Sequence, residues 1–133
     1  MVQETYILSR EIRSFISLYL DSVSALEILL LLRTNREREW TIDQISTELR
    51  SSSAGIEARA LMLVKKGLLK TGTSSSVYQY RPRLEELDLI VLDLAQLYPK
   101  NKNRIIEQIY SPKKTAVQEF ADAFKLKRED ENG

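Results

Sequence analysis

The sequence predicts a mainly α protein with one small β-hairpin and additional helices at both ends of the chain. Three observations carry this. Apolar residues recur at helical spacing through most of the chain. Four glycines and three prolines in 133 residues leave little material for loops. Between Val64 and Pro82 the pattern changes, in the run VKKGLLKTGTSSSVYQYRP. There a basic helix end, a glycine, a short strand, a Ser/Thr/Gly tip and a second strand follow one another, which is how a hairpin is built.

Residues 4–20 read as an amphipathic helix with Leu8, Ile12, Phe15, Ile16 and Tyr19 on one face. Asp21 or Ser22 can cap the next helix, and Ser24-Ala-Leu-Glu27 is an alternative capping box. That helix, SALEILLLLRTN, is apolar all round from Ile28 to Leu32. It must be buried on every side, so it forms the centre of the core. Arg36 to Trp40 is a polar turn closing on a large aromatic. Thr41-Ile-Asp-Gln44 is a capping box that opens the helix TIDQISTELR, with Ile42, Ile45 and Leu49 as its inner stripe. After the Ser51–Ser53 triplet, Ser53 is expected to cap a third helix, AGIEARALMLVKK, which Gly67 ends. On a helical wheel its inner face holds Ile56, Ala60, Leu63 and Val64, widened by Leu61, with Glu57 toward the buried side.

Residues 83–98 form another helix. Leu84, Leu87, Val91, Leu94 and Tyr98 step by three and four, with Ile90 and Leu97 alongside, which makes a two-heptad apolar seam. The seam either pairs with a second copy, giving a homodimer, or packs on the N-terminal helix of its own chain. Pro99 kinks or ends the helix, and residues 103–110 resume helical character after it. Val117, Phe120, Ala121 and Phe124 mark a last amphipathic helix before a charged tail at 128–131. The chain therefore divides into an N-terminal helix (1–20), a central domain (21–82) and a C-terminal helical extension (83–133) for dimerisation or packing.

Composition excludes several functions. With no cysteine and no histidine, disulfides, thiolate zinc sites, cysteine nucleophiles and Ser-His-Asp catalysis all drop out. No phosphate-binding glycine loop is present, and Glu37, Glu39, Glu85 and Glu86 lie on polar segments, so an enzyme, a metal and a cofactor are not expected. The N-terminus lacks a secretory pattern and no apolar run is longer than that from Ile28 to Leu32, so a cytoplasmic protein without a membrane span is expected.

The run WTIDQISTELRSSSAGIEARALMLVKKGLLKTGTSSSVYQYRP resembles the winged helix-turn-helix superfamily of bacterial transcription regulators. The likeness rests on the buried first helix, the Thr-capped second, the Ser-capped third, the Lys-Lys-Gly-Leu-Leu helix end and the hairpin closing in Tyr-Gln-Tyr. It covers roughly residues 22–82. With LEILLLLR, REREWT and EFADAFKLKRE, the whole chain looks like small bacterial winged-helix proteins.

The resemblance implies a winged helix-turn-helix core in which the third helix meets the major groove of double-stranded DNA and the hairpin is the wing. Thr41, Gln44, Ser52, Ser53, Lys65, Lys66, Lys70, Arg81 and Arg83 are then candidate phosphate contacts, and Arg59 the candidate base reader. The wing tip TGTSSS offers the hydroxyls of Ser74 and Ser75 but no cation. Residues 41–83 carry seven bases against three acids, whereas residues 84–98 carry four acids and no base. That modest surplus predicts weak, salt-sensitive DNA binding with little sequence discrimination. The alternative is a winged-helix protein–protein interaction module. Ala54, Gly55, Ala58 and Met62 form a small, smooth outer face on the third helix, onto which a partner helix could pack.

Overall fold

The all-apolar helix organises everything around it. In this computed structural model, residues 8–111 are described, and they form nine elements. In chain order these are α1 (Arg10–Tyr19), α2 (Val23–Thr34), β1 (Trp40–Thr41), α3 (Ile42–Leu49), α4 (Ser53–Lys65), β2 (Leu69–Thr71), β3 (Val77–Tyr80), α5 (Glu85–Leu97) and α6 (Lys102–Tyr110). The architecture is mainly helical with a small antiparallel sheet. The last amphipathic segment expected from the sequence, at Val117, Phe120, Ala121 and Phe124, lies outside the described residues, as do residues 4–7 of the first, whose helix starts at Arg10 and not before Leu8 as the sequence suggested.

Ala25, Leu26, Ile28, Leu29 and Leu32 of α2 are buried, and Leu30 and Leu31 are half-buried against the same cluster. α3, α4 and β3 cover this helix. Its start is fixed by Ser22, whose hydroxyl accepts from the Ala25 amide at 3.0 Å. Of the three caps the sequence offered, Ser22 is the one used, with the extended backbone a cap requires at φ −160° and ψ 159°. α1 begins in the same way, with the Ser9 hydroxyl accepting from the Ile12 amide at 3.1 Å. Ile12, Phe15 and Ile16 then face inward, and the helix packs on α5 and α6.

The capping box before α3 forms in full. The Gln44 amide donates to Thr41 Oγ1 at 3.1 Å and the Thr41 amide donates to Gln44 Oε1 at 2.9 Å. The next helix starts one residue earlier than the sequence suggested. Its N-cap is Ser52, which makes no side-chain cap bond. Ser53 bonds across the turn instead: its hydroxyl donates to Asp43 Oδ1 and accepts from Ser46, both at 3.3 Å. α4 ends at Lys65, and Gly67 follows at φ +81°, in the left-handed region glycine adopts without strain. A side chain there would also collide with Arg83.

The hairpin expected at 68–81 is one strand larger than the sequence indicated. The sheet order is β1-β3-β2, with Trp40 opposite Tyr78 and Leu69 opposite Tyr80. A two-residue strand is too short to show alternation, so β1 read as the end of a turn. Trp40, Leu69, Tyr78 and Tyr80 are buried beneath the sheet. On the far side, α5 inserts Leu87, Val91 and Leu94 into the core and ends at Leu97. Pro99 separates it from α6, a distinct helix that buries Ile105 and Ile109.

One polar junction ties these layers together. Asp88 of α5 accepts from the Tyr80 hydroxyl at 2.6 Å, from Arg33 Nε at 3.3 Å and from Arg36 Nη1 at 3.4 Å. Arg36 also lies over the Tyr80 ring, 5.1 Å from its centroid. Burial alone pushes the Asp88 carboxyl upward, but the Tyr80 hydroxyl, Arg36 and Arg33 together outweigh it and hold it below the usual carboxylate range. Burial and the Asp88 carboxylate raise Tyr80 well above the ordinary tyrosine value.

The linkage signs follow. A depressed carboxyl pKa means that the unfolded chain binds the extra proton, so the Asp88 contribution is present at neutral pH. It is lost as pH falls from about 4 through the folded value. A raised tyrosine contributes below about pH 10 and is lost as pH rises beyond it. Asp88→Asn is expected to lower stability at neutral pH by about 2 kcal/mol and to flatten the acid limb of a denaturant-derived stability profile. Tyr80→Phe should cost about 1 kcal/mol and flatten the alkaline limb instead.

Candidate functional site

The outer surface of α4 and the hairpin beside it contain most residues that the sequence singled out. α4 is held on α2 by Ile56, Ala60 and Leu63, all buried. Its outward face is Ala54, Glu57, Ala58, Leu61 and Lys65, every one exposed. Gly55 and Met62 are half-buried at one margin. Two residues differ from the helical-wheel expectation. Leu61 points outward and is 43% exposed, and Glu57 is exposed rather than turned toward the core. The inward arc is narrower than the wheel implied: only Ile56, Ala60 and Leu63 are buried where α4 packs on α2, α3 and β2.

Two of the cations near this face are engaged within the chain. Arg59 Nε donates to the Ser22 hydroxyl at 2.8 Å, and its Nη1 donates to the Gly55 carbonyl at 3.2 Å. Arg59 therefore braces the cap of α2 and lies back along its own helix. Lys66 Nζ donates to the Leu18 carbonyl at 2.8 Å, which ties α4 to the last turn of α1. Thr41 and Gln44 bond to each other in the capping box. Ser52 is exposed, and Ser53 is engaged with Asp43. Lys65, Lys70, Arg81 and Arg83 stay exposed. Lys70 lies on β2, an edge strand, opposite Gln79.

The hairpin tip carries a negative charge that the tip's own sequence does not contain. Glu39 accepts from the Thr73 amide at 2.9 Å and from the Thr73 hydroxyl at 3.0 Å. Gly72 lies beneath it, and a Cβ there would push the Glu39 carboxylate aside. The Ser74 and Ser76 hydroxyls lie 3.0 Å apart and bond to each other, and Ser75 is exposed. A carboxylate clamped on a backbone N–H competes with any phosphate for that donor and repels it.

Sequence reasoning missed both Glu39 and the structural use of Arg59. Only the β1 register, with Thr41 opposite Val77, carries Glu39 toward the tip. No local pattern reveals that pairing. Nor could the sequence show that Arg59 lies beside Ser22, thirty-seven positions away.

The candidate dimer seam is mostly internal. Leu87, Val91 and Leu94 are buried in a single chain, where α5 packs on α1. Tyr98 is half-buried, with Lys102 Nζ 5.4 Å from its ring centroid. Leu84 is the N-cap of α5 and is 46% exposed. The outward side of α5 carries Glu85, Glu86 and Asp93. Beside the seam, a shallow groove of about 320 Å³ runs between α1 and α5, floored by Phe15, Leu18, Leu87 and Ile90. A second cleft of about 360 Å³ is lined by Arg36, Arg81, Glu85 and Asp88, whose charges offset one another.

Among the described residues no cluster of acidic side chains could hold a metal ion, and no single helix is long and apolar enough to cross a membrane. Comparison with protein-family models, with curated proteins and with solved structures returned no match to this chain.

Arg59→Ala is expected to lower the unfolding free energy by about 1–2 kcal/mol with no nucleic acid present, because it removes a charge-assisted bond to a helix cap. Chemical denaturation of the variant checks this.

Proposed function

We propose that this chain is a winged helix-turn-helix module that binds protein through the outer face of α4 and does not read DNA with it. The observation that carries this reading is the composition of that face. It presents Ala54, Glu57, Ala58, Leu61 and Lys65, while Arg59 and Lys66 bond to the chain's own Ser22 and Leu18. Major-groove readout needs donors and acceptors that reach base edges, and this face offers methyl groups, an isobutyl group and a carboxylate, with one ammonium, Lys65, at its C-terminal end. A wing tip made negative by Glu39 argues in the same direction. Small side chains instead allow a partner backbone to approach closely, with Leu61 as the projecting apolar anchor and Met62 as an adaptable margin.

A second reading has its own support. Lys65, Lys70, Arg81 and Arg83 are exposed around the end of α4 and the edge strand. Such cations can hold duplex DNA by its phosphates alone, as a transcription regulator of weak discrimination would. This binding would fall steeply between about 50 mM and 200 mM salt.

Two measurements divide the readings. Ala58→Arg is expected to abolish association with protein while the far-UV circular dichroism and melting temperature stay unchanged. If association persists at full strength, α4 is not the docking helix. In a titration with generic duplex DNA, the Lys70→Ala/Arg81→Ala/Arg83→Ala variant is expected to match the parent, both binding negligibly at about 50 mM salt. Tight binding by the parent that the triple variant loses would favour the second reading.

A further inference from the structure

α4 carries a charge pattern that selects its partner. Its outward face is centred on Leu61, with Glu57 one turn before it and Lys65 one turn after it. All three are exposed, and neither Glu57 nor Lys65 forms an ion pair among the described residues. We propose that α4 docks on α4 of a second copy of this chain, antiparallel, across a two-fold axis at Leu61. This rests on the reading of α4 as a protein-binding helix and names its partner.

The pattern fits only one orientation. In an antiparallel pair centred on Leu61, Glu57 of each copy lies opposite Lys65 of the other, so two attractive pairs form at once. A parallel pair would set Glu57 against Glu57 and Lys65 against Lys65 and would repel at both positions. The two leucines meet at the axis. Ala54 and Ala58 add no bulk between the helices, so the backbones approach closely and the long Glu and Lys side chains reach across. The thirteen-residue helix is about 20 Å long, which spans both charge pairs.

The other outward helix lacks this complementarity. α5 exposes Leu84 and Leu89 but carries Glu85, Glu86, Asp88 and Asp93 and no base, so pairing two copies through it sets acid against acid in either orientation. Its apolar seam is already buried within one chain. Of these two helices, α4 is the one whose charges complement a second copy. One helix crossing buries less surface than a standard interface, so the association is weak and shifts with protein concentration.

Sedimentation equilibrium on the full chain tests this, from about 10 μM to about 1 mM protein, the range in which a small interface is populated. The parent is expected to move from monomer to dimer across this range, and more readily at low salt. Glu57→Lys and Lys65→Glu should each weaken the dimer about tenfold, since either change makes both pairs repulsive. The double variant Glu57→Lys/Lys65→Glu restores both pairs with their signs exchanged and should recover the parent affinity.

A parent that stays monomeric throughout overturns the second copy as the partner. If Ala58→Arg nevertheless abolishes binding to another protein, the α4 reading stands without it. A dimer that Ala58→Arg leaves intact overturns both. Two weakened single variants with no recovery in the double overturn the antiparallel register. The swap variants differ only at exposed charges, and an unchanged melting temperature establishes that they are folded.

Discussion

A helix that is apolar on every side cannot be left against water. α2 buries Ala25, Leu26, Ile28, Leu29 and Leu32 completely, and Leu30 and Leu31 in part, so the rest of the chain has to enclose it. Burying each leucine or isoleucine of this helix is worth roughly 1.5–3 kcal/mol relative to exposure, and the helix buries several of them at once. The helix pair α3–α4 and the sheet press on α2 from one side. The α1–α5–α6 layer shares the same continuous core. Polar bonds then set the registration: Ser22 and Arg59 at the start of α2, and Arg33 with Asp88 near its end. Hydrophobic burial thus determines that these elements assemble, and the two polar junctions determine at which angle and depth.

That division explains which parts of the molecule were readable in the sequence. Features decided by a few adjacent residues were clear. The Thr41–Gln44 capping box, the left-handed Gly67, the inward stripes of α1 and α5 and the break at Pro99 all follow from local stereochemistry. Features decided by distant chain segments were not. β1 exists only because β3 lies beside it, and Ser53 leaves its expected capping role because Asp43 and Ser46 stand across the turn. Leu61 was assigned inward by a wheel that does not know how wide an arc the neighbouring elements cover. Of the candidate site, the small outer face of α4 was visible as a pattern. The engagement of Arg59 and Lys66 was not, because their partners lie far along the chain.

The same distant contacts alter the electrostatics more than the count of charges suggests. Residues 41–83 hold a surplus of bases, yet two of them stabilise helix ends within the fold. A carboxylate from outside that span, Glu39, sits on the hairpin tip. Arg59 and Lys66 keep their charge, because their partners are neutral oxygens, but both are turned onto the chain itself, and Glu39 offsets part of the surplus at the tip. On the outward face of α4 the charges are a balanced pair, Glu57 and Lys65, and balance favours a surface like itself over a polyanion.

The chain has a single tryptophan, and its position makes the molecule self-reporting. Trp40 is buried in β1 opposite Tyr78, with the Arg38 guanidinium 3.7 Å from its ring centroid. Its emission comes from one site and senses the docking of the sheet onto the helices, whereas far-UV circular dichroism is dominated by the helices themselves. The two optical signals therefore follow different parts of the fold. Their coincidence during unfolding distinguishes a chain that melts as one unit from one whose sheet releases first.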